Sequence, residues 1–142
     1  MGGMGIRFVE TDGGRAAAGF TDKDAGDCVV RATAIISGLP YKEVHDALTE
    51  WQGWNADAGG NVVGHFTHKK FILSLGFVWI PLMQIGSGCK VHLRADELPL
   101  GRIIVRVSHH IAAVIDRVLY DTHDCSRDGK RCVYGYFTKE SI

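Results

Sequence analysis

The sequence lacks several features that would assign it to a common class of protein. Basic residues are not in excess, since 16 Lys and Arg balance 16 Asp and Glu and the formal net charge is +0. Nucleic-acid-binding proteins usually carry clustered Lys and Arg, so we expect no nucleic-acid partner. The longest apolar runs, at 69–83 and 102–107, are too short or too interrupted to span a bilayer. We therefore expect no membrane partner either.

A secretory signal and close cysteine pairs are also missing. Residues 1–14 lack the basic-then-apolar order of a signal peptide, which predicts a cytoplasmic protein. The sequence contains no Cys-x-x-Cys pair, which argues against a thioredoxin-like site or a zinc ribbon. Free thiols are therefore expected rather than disulfides, and a bridge between Cys125 and Cys132 is the one pairing that we consider. The four cysteines are Cys28, Cys89, Cys125 and Cys132.

The chain has enough apolar residues for one domain with a core. It contains 142 residues, 46% of them hydrophobic, and residues 1–142 show no linker or repeat. Helical patterns come first, from Cys28 to Gly38, after Pro40, and up to Gly76. A short strand at 6–10 precedes them, and strand-like segments follow at 77–80, 102–124 and 131–137. Helices followed by strands predict an α+β fold.

A cysteine stands at the predicted start of the first helix. Asp27 is a good N-cap residue for the helix that begins at Cys28 and ends at Gly38. The free amide hydrogens and partial positive charge of a helix N-terminus stabilise a thiolate. Because thiolates rather than thiols attack carbonyl carbon, Cys28 is a candidate nucleophile. The alternative is an ordinary small core residue, which a free cysteine commonly is.

A histidine and an aspartate fall on adjacent predicted strands. If residues 116–117 form a two-residue hairpin turn, His110 and Asp121 are diagonal neighbours on one face of the sheet. The carboxylate then orients the imidazole, which takes the thiol proton. His109 with Asp124 is the rival pair on the other face, and one more residue in the turn would change the register.

These residues resemble those of the papain-like cysteine peptidases. "HIAAVI" followed by "YDTHD" is similar to the His-bearing and Asn-bearing strands of that superfamily, with Asp121 at the Asn position. "DC" at the start of an alanine-rich helix resembles the bacteriocin-processing peptidases, and the chain length is similar to that of the small NlpC-type cell-wall amidases. "TDGGRAAAGF" and "GDCVVRATAI" also resemble small proteins of phages and prophages, which implies a bacterial host cell.

The resemblance implies a fold and a set of roles. Helices at the amino-terminal side, with the cysteine at a helix N-terminus, would pack on a C-terminal antiparallel sheet. Cys28, His110 and Asp121 would form a catalytic triad without a cofactor or metal. The chain departs from the family at Asp22, where the oxyanion-hole Gln is expected, and at Val29, where Gly usually follows the cysteine.

We therefore expect a cysteine-dependent hydrolase that acts on a peptide, amide or protein substrate through an acyl-cysteine intermediate. The main alternative is an inactive papain-like phage protein that binds or inhibits a partner, which Asp22 favours because a carboxylate repels an oxyanion. A third possibility is a metal-binding module, built on the triad residues or on the His65 and His68 pair. The sequence does not indicate an oligomeric state.

Overall fold

The computed structural model describes residues 5–20, 27–52, 65–84 and 86–139. Within them lie three α-helices and six strands, so the α+β class is confirmed. Within these ranges, no helix is both long and apolar enough to cross a membrane. The helices are α1 (Cys28–Ser37), α2 (Tyr41–Gln52) and α3 (His65–Ser74). The strands are β1 (Arg7–Glu10), β2 (Val78–Pro81), β3 (Arg102–Val107), β4 (His110–Ile115), β5 (Val118–Asp121) and β6 (Gly135–Thr138).

The strands form one sheet in the order β1-β5-β4-β3-β6-β2. Every pair of neighbours is antiparallel except β1 and β5, which are parallel. The expectation of an antiparallel C-terminal sheet is thus wrong at one edge, where a strand from before the helices is added. Without β1, strand β5 would be the edge of the sheet, and its outer N–H and C=O groups would lack partners. Strand β1 supplies those hydrogen bonds. The amide of Thr11 extends the pairing by donating to the carbonyl of Asp121 at 2.8 Å.

The sheet is covered on both faces. Helix α1 packs over the central strands on one face, where Val30, Ile36, Ile104 and Phe137 are almost fully buried. The opposite face has its own apolar cluster, which includes Leu93, Ile103, Val105, Val114 and Leu119. Strand β4 contributes to both clusters, as its apolar residues on both alternating faces predict.

The turn between β4 and β5 has the predicted length. Asp116 and Arg117 have φ values of 48° and 67°, which suit a two-residue hairpin whose twist matches its strands. Ile115 pairs with Val118, and Val114 pairs with Leu119. This is the register that brings the beginning of β4 beside the end of β5.

The last strand and the cysteines depart from the predictions. Strand β6 begins at Gly135 rather than near residue 131, because the preceding residues bond to a loop instead: the amide of Val133 donates to the carbonyl of Val91 at 2.8 Å. Cys89 and Cys132 form a disulfide with their Cα atoms 5.8 Å apart. The expectation of free thiols is therefore wrong for these two, and Cys125 is a buried free thiol rather than a partner of Cys132.

Candidate active site

Cys28 is the first residue of α1, and its side chain is partly buried. Asp27 occupies the N-cap position, but its carboxylate makes no capping hydrogen bond to the helix. It accepts hydrogen bonds from Arg31 and from the hydroxyl of Tyr41 instead. The first turn of α1 thus keeps its amide hydrogens free of a competing carboxylate from Asp27, and Cys28 lies among them.

His110 lies between an acid and a thiol. Its Nε2 atom is 2.6 Å from Oδ2 of Asp121, and the imidazole is close enough to Cys28 to lower the pKa of the thiol. Because Nε2 faces the carboxylate, Nδ1 is the ring nitrogen left for the thiol. The structure brings the three predicted residues together, from α1, β4 and β5 respectively.

The surroundings favour a charged pair. Burial raises the pKa of Cys28, but the hydrogen bond and positive charge of His110 outweigh it, so the pKa falls below its usual 9.0. Burial lowers the pKa of His110, whereas Asp121, Cys125 and Cys28 raise it, giving a value of about 11. The two groups therefore stabilise each other's charged forms, a thiolate at Cys28 and an imidazolium at His110. The backbone amide of Ile111 also donates to the Cys28 sulfur and stabilises its charge.

Arg31 holds the back of the site, and the sequence analysis missed it. Its guanidinium contacts Asp27, and its Nη2 atom lies 3.3 Å from Oδ1 of Asp121. The amide of Thr122 donates to the same Oδ1 at 2.7 Å. These bonds fix the carboxylate that faces His110. The available signal was a charged residue inside the apolar helix "CVVRATAII", because an arginine buried there needs acidic partners.

The network continues away from the thiol. The hydroxyl of Tyr41 donates to Asp27 at 2.6 Å, and Arg15 donates to the Tyr41 oxygen at 2.7 Å. Burial, followed by the hydrogen bond to Asp27, raises the pKa of Tyr41 above its usual value. Two buried arginines and two buried aspartates therefore form one chain that ends at His110: Arg15, Asp27, Arg31 and Asp121.

A second thiol adjoins the imidazole. Cys125 is buried and lies close enough to the imidazole to raise the pKa of His110, a contact that the sequence pattern did not indicate. His110, Asp121 and Cys125 each offer one ligand atom, and these atoms lie within 4.8 Å of one another. Nitrogen, oxygen and sulfur donors are the set that zinc prefers. The same cluster is therefore the part of the described chain that could hold a metal.

The rival pair is not formed. His109 lies in the exposed turn between β3 and β4 with φ at 58°. The carboxylate of Asp124 instead accepts hydrogen bonds from the amide and hydroxyl of Ser126, at 2.9 and 2.6 Å.

Two other predicted positions fall partly or wholly outside the described residues. Asp22 lies outside them, as does the side chain of His65, whereas His68 is buried on α3. The comparison of Asp22 with the family's oxyanion-hole Gln therefore remains a prediction from the sequence. A metal site that uses both histidines has the same standing.

Comparison of the chain with models of protein families, with curated proteins and with solved structures finds no match in any of the three. The geometry of Cys28, His110 and Asp121 therefore carries the functional argument.

Proposed function

We propose that the protein is a cysteine-dependent hydrolase whose nucleophile is Cys28, whose base is His110 and whose positioning residue is Asp121. One observation carries the proposal: a single imidazole lies 2.6 Å from the Asp121 carboxylate and beside the thiol at the start of α1, whose pKa it lowers. Nucleophile, base and orienting acid in that order are the arrangement that activates a cysteine.

The reaction proceeds in two stages. The Cys28 thiolate attacks the carbonyl carbon of an amide, and the tetrahedral intermediate collapses when His110 gives its proton to the departing nitrogen. The acyl-cysteine is then attacked by water, whose proton passes to His110, and the released acid leaves the thiolate behind. The amide of Cys28 is the donor that we assign to the developing oxyanion, because it lies at the free end of a helix.

The arrangement of elements supports a papain-like architecture for this proposal. The cysteine begins a buried helix, and that helix packs against the hairpin that carries His110 and Asp121. Hydrolysis of a peptide, amide or isopeptide bond fits this arrangement and needs no cofactor.

The test is the pH dependence of iodoacetamide labelling at Cys28, read by mass spectrometry of the unreduced protein. We expect rapid labelling well below pH 9, because the imidazolium of His110 stabilises the thiolate. In His110→Ala the midpoint moves up, and the rate at pH 6 falls about tenfold or more, since an adjacent opposite charge shifts a pKa by about 1–3 units.

The matched control is His109→Ala, which removes a neighbouring histidine that has no described contact with the thiol. We expect it to label like the unaltered protein. A normal midpoint in the unaltered chain, or an equal loss in both variants, contradicts the proposal.

A zinc-binding module is the second candidate, since His110, Asp121 and Cys125 already converge. Metal analysis of the purified protein separates the two functions: about one zinc per chain that is lost in Cys125→Ser supports the module. A protein without zinc whose Cys28 labels as described supports the hydrolase. A binding protein, the remaining alternative, would keep its partner after Cys28→Ala.

A further inference from the structure

A cavity of about 220 Å³ lies on the helix-covered face of the sheet, next to the catalytic cluster. Helix α3 borders it on one side and strands β2, β3, β4 and β6 on the other. Ile111 lines it, and the amide of this same residue bonds the Cys28 sulfur. Ile111 is therefore a common neighbour of the cavity and of Cys28.

Among the described residues that line the cavity, two carry cationic side chains and none is acidic. Lys69 and Arg106 form no ion pair with any carboxylate among the described residues, and each lies over an aromatic ring instead. The Nζ atom of Lys69 is 5.2 Å from the ring centre of Trp79, and the guanidinium carbon of Arg106 is 5.6 Å from that of Tyr134. Burial lowers the pKa of Arg106, so its charge is already partly stripped of water.

The position of Arg106 brings its charge close to the site. It pairs with Ile111 across β3 and β4, and side chains that are directly opposite in a sheet have Cβ atoms about 5 Å apart. Its other neighbour in the sheet is Gly135 on β6. The cation thus stands between β4, the strand that carries His110, and β6 on the other side.

Apart from His68, the remaining walls among the described residues are apolar and closely fitted. The indole of Trp79 passes over Gly135 so tightly that a Cβ there would lie 2.3 Å from its Cη2 atom. Trp79 also packs on Phe137 with ring centres 4.8 Å apart, and Ile72 completes the wall from α3. A glycine at residue 135 is therefore what permits an aromatic wall beside the two cations.

We propose that this cavity binds the part of the substrate next to the scissile bond and selects a carboxylate carried on an apolar or aromatic group. The inference rests on the proposed hydrolase for the word substrate, whereas the binding itself needs no catalysis. Opposite charge in a partly desolvated pocket gives the selection, and the apolar walls give the contact area. The carboxylate belongs to a chain terminus or to an acidic side chain.

The experiment measures binding of two matched pairs of ligands to the unaltered protein by NMR. N-acetylphenylalanine against its amide tests a terminal carboxylate, and N-acetylglutamic acid α-amide against N-acetylglutamine amide tests an acidic side chain. We expect the acid of at least one pair to bind about tenfold more tightly than its neutral partner, with shifts at Trp79 and Ile111. The discriminating pair identifies the source of the carboxylate.

Lys69→Gln and Arg106→Gln should each reduce the preference, and Lys70→Gln, an exposed neighbour on the same helix, should retain it. Lys69 is partly exposed, so its variant is informative even if Arg106→Gln fails to fold. Equal binding of acid and amide in both pairs, or shifts confined to other residues, overturns the inference. If the protein prefers the acid but Cys28 is labelled with the pH midpoint of an ordinary thiol, the hydrolase proposal is overturned and the cavity proposal stands.

Discussion

At the scale of single residues, the site depends on charges that the sequence pattern did not connect. The strand alternation placed His110 beside Asp121, because that geometry follows from a two-residue turn and a period of two. Arg31 and Asp121 are 90 residues apart, and no local pattern reports that they meet. Cys125 escaped notice for the same reason. A side chain buried in the site is recognised only when the fold shows what surrounds it.

Asp121→Asn tests the charge that faces His110. The substitution keeps the shape and an oxygen for the amide of Thr122, but it removes the charge that raises the His110 pKa. We expect the labelling midpoint of Cys28 to move up and its rate at pH 6 to fall about tenfold. An unchanged midpoint would show that the carboxylate does not act through the imidazole.

The same variant carries a stability signature. In the native protein the pKa of Asp121 is below 3.8 and that of His110 rises from 6.5 to about 11. The contribution of the Asp121–His110 pair to the free energy of unfolding is therefore complete between pH 3.8 and 6.5. It is lost as the pH falls through the lowered pKa of Asp121. It is also lost as the pH rises through the His110 pKa of about 11. Urea unfolding should show the largest deficit of Asp121→Asn inside that window.

At the scale of elements, turn chemistry and helix ends were predictable and strand ends were not. Gly38 closes α1 in a left-handed conformation with φ at 78°, and its amide bonds the carbonyl of Ala34. This ending follows from the residue type alone. Strand β6, by contrast, begins only at Gly135, because the residues before it bond to the loop at 91–93. Such pairing depends on a disulfide and a loop that are distant in the sequence.

Gly135→Ala tests the closest approach in β6. The added Cβ meets the indole of Trp79 at 2.3 Å, so the ring must move, and overpacking of this kind costs about 1–3 kcal/mol of unfolding free energy. Chemical denaturation measures the loss. Gly5→Ala is the control, because its Cβ would meet nothing within 4 Å. Equal stability of the two variants would mean that the wall of the cavity yields freely.

At the scale of the whole molecule, the α+β class was predictable and the mixed topology was not. The order of helical and strand-like patterns indicates which elements exist, but not that β1 pairs in parallel with β5. Strand β1 has only four residues, Arg7–Glu10, and their side-chain alternation is compatible with either parallel or antiparallel pairing. The Cys89–Cys132 disulfide also cross-links two segments that are 43 residues apart in the sequence.

Cys89→Ser tests what this disulfide contributes. Loss of the cross-link should lower the unfolding free energy by about 2–4 kcal/mol, because the unfolded chain regains conformational freedom. Denaturation with and without a reductant measures it. The unaltered protein should weaken on reduction, whereas the variant should respond little. Insensitivity of both to the reductant would show that the bridge is not formed in solution.

The long-range pairing of the site also bears on how the protein is made. Arg31 and Asp121 are separated by 90 residues, so at about 5–20 residues per second a ribosome takes roughly 5 to 18 s to pass from the first to the second. For all of that interval the nascent chain lacks Asp121, and for most of it the chain lacks His110 as well. In the proposed hydrolase, the Cys28 thiol therefore keeps its ordinary reactivity until the hairpin that carries His110 and Asp121 docks on α1. For the proposed hydrolase, activation of the nucleophile is thereby delayed until the fold has formed.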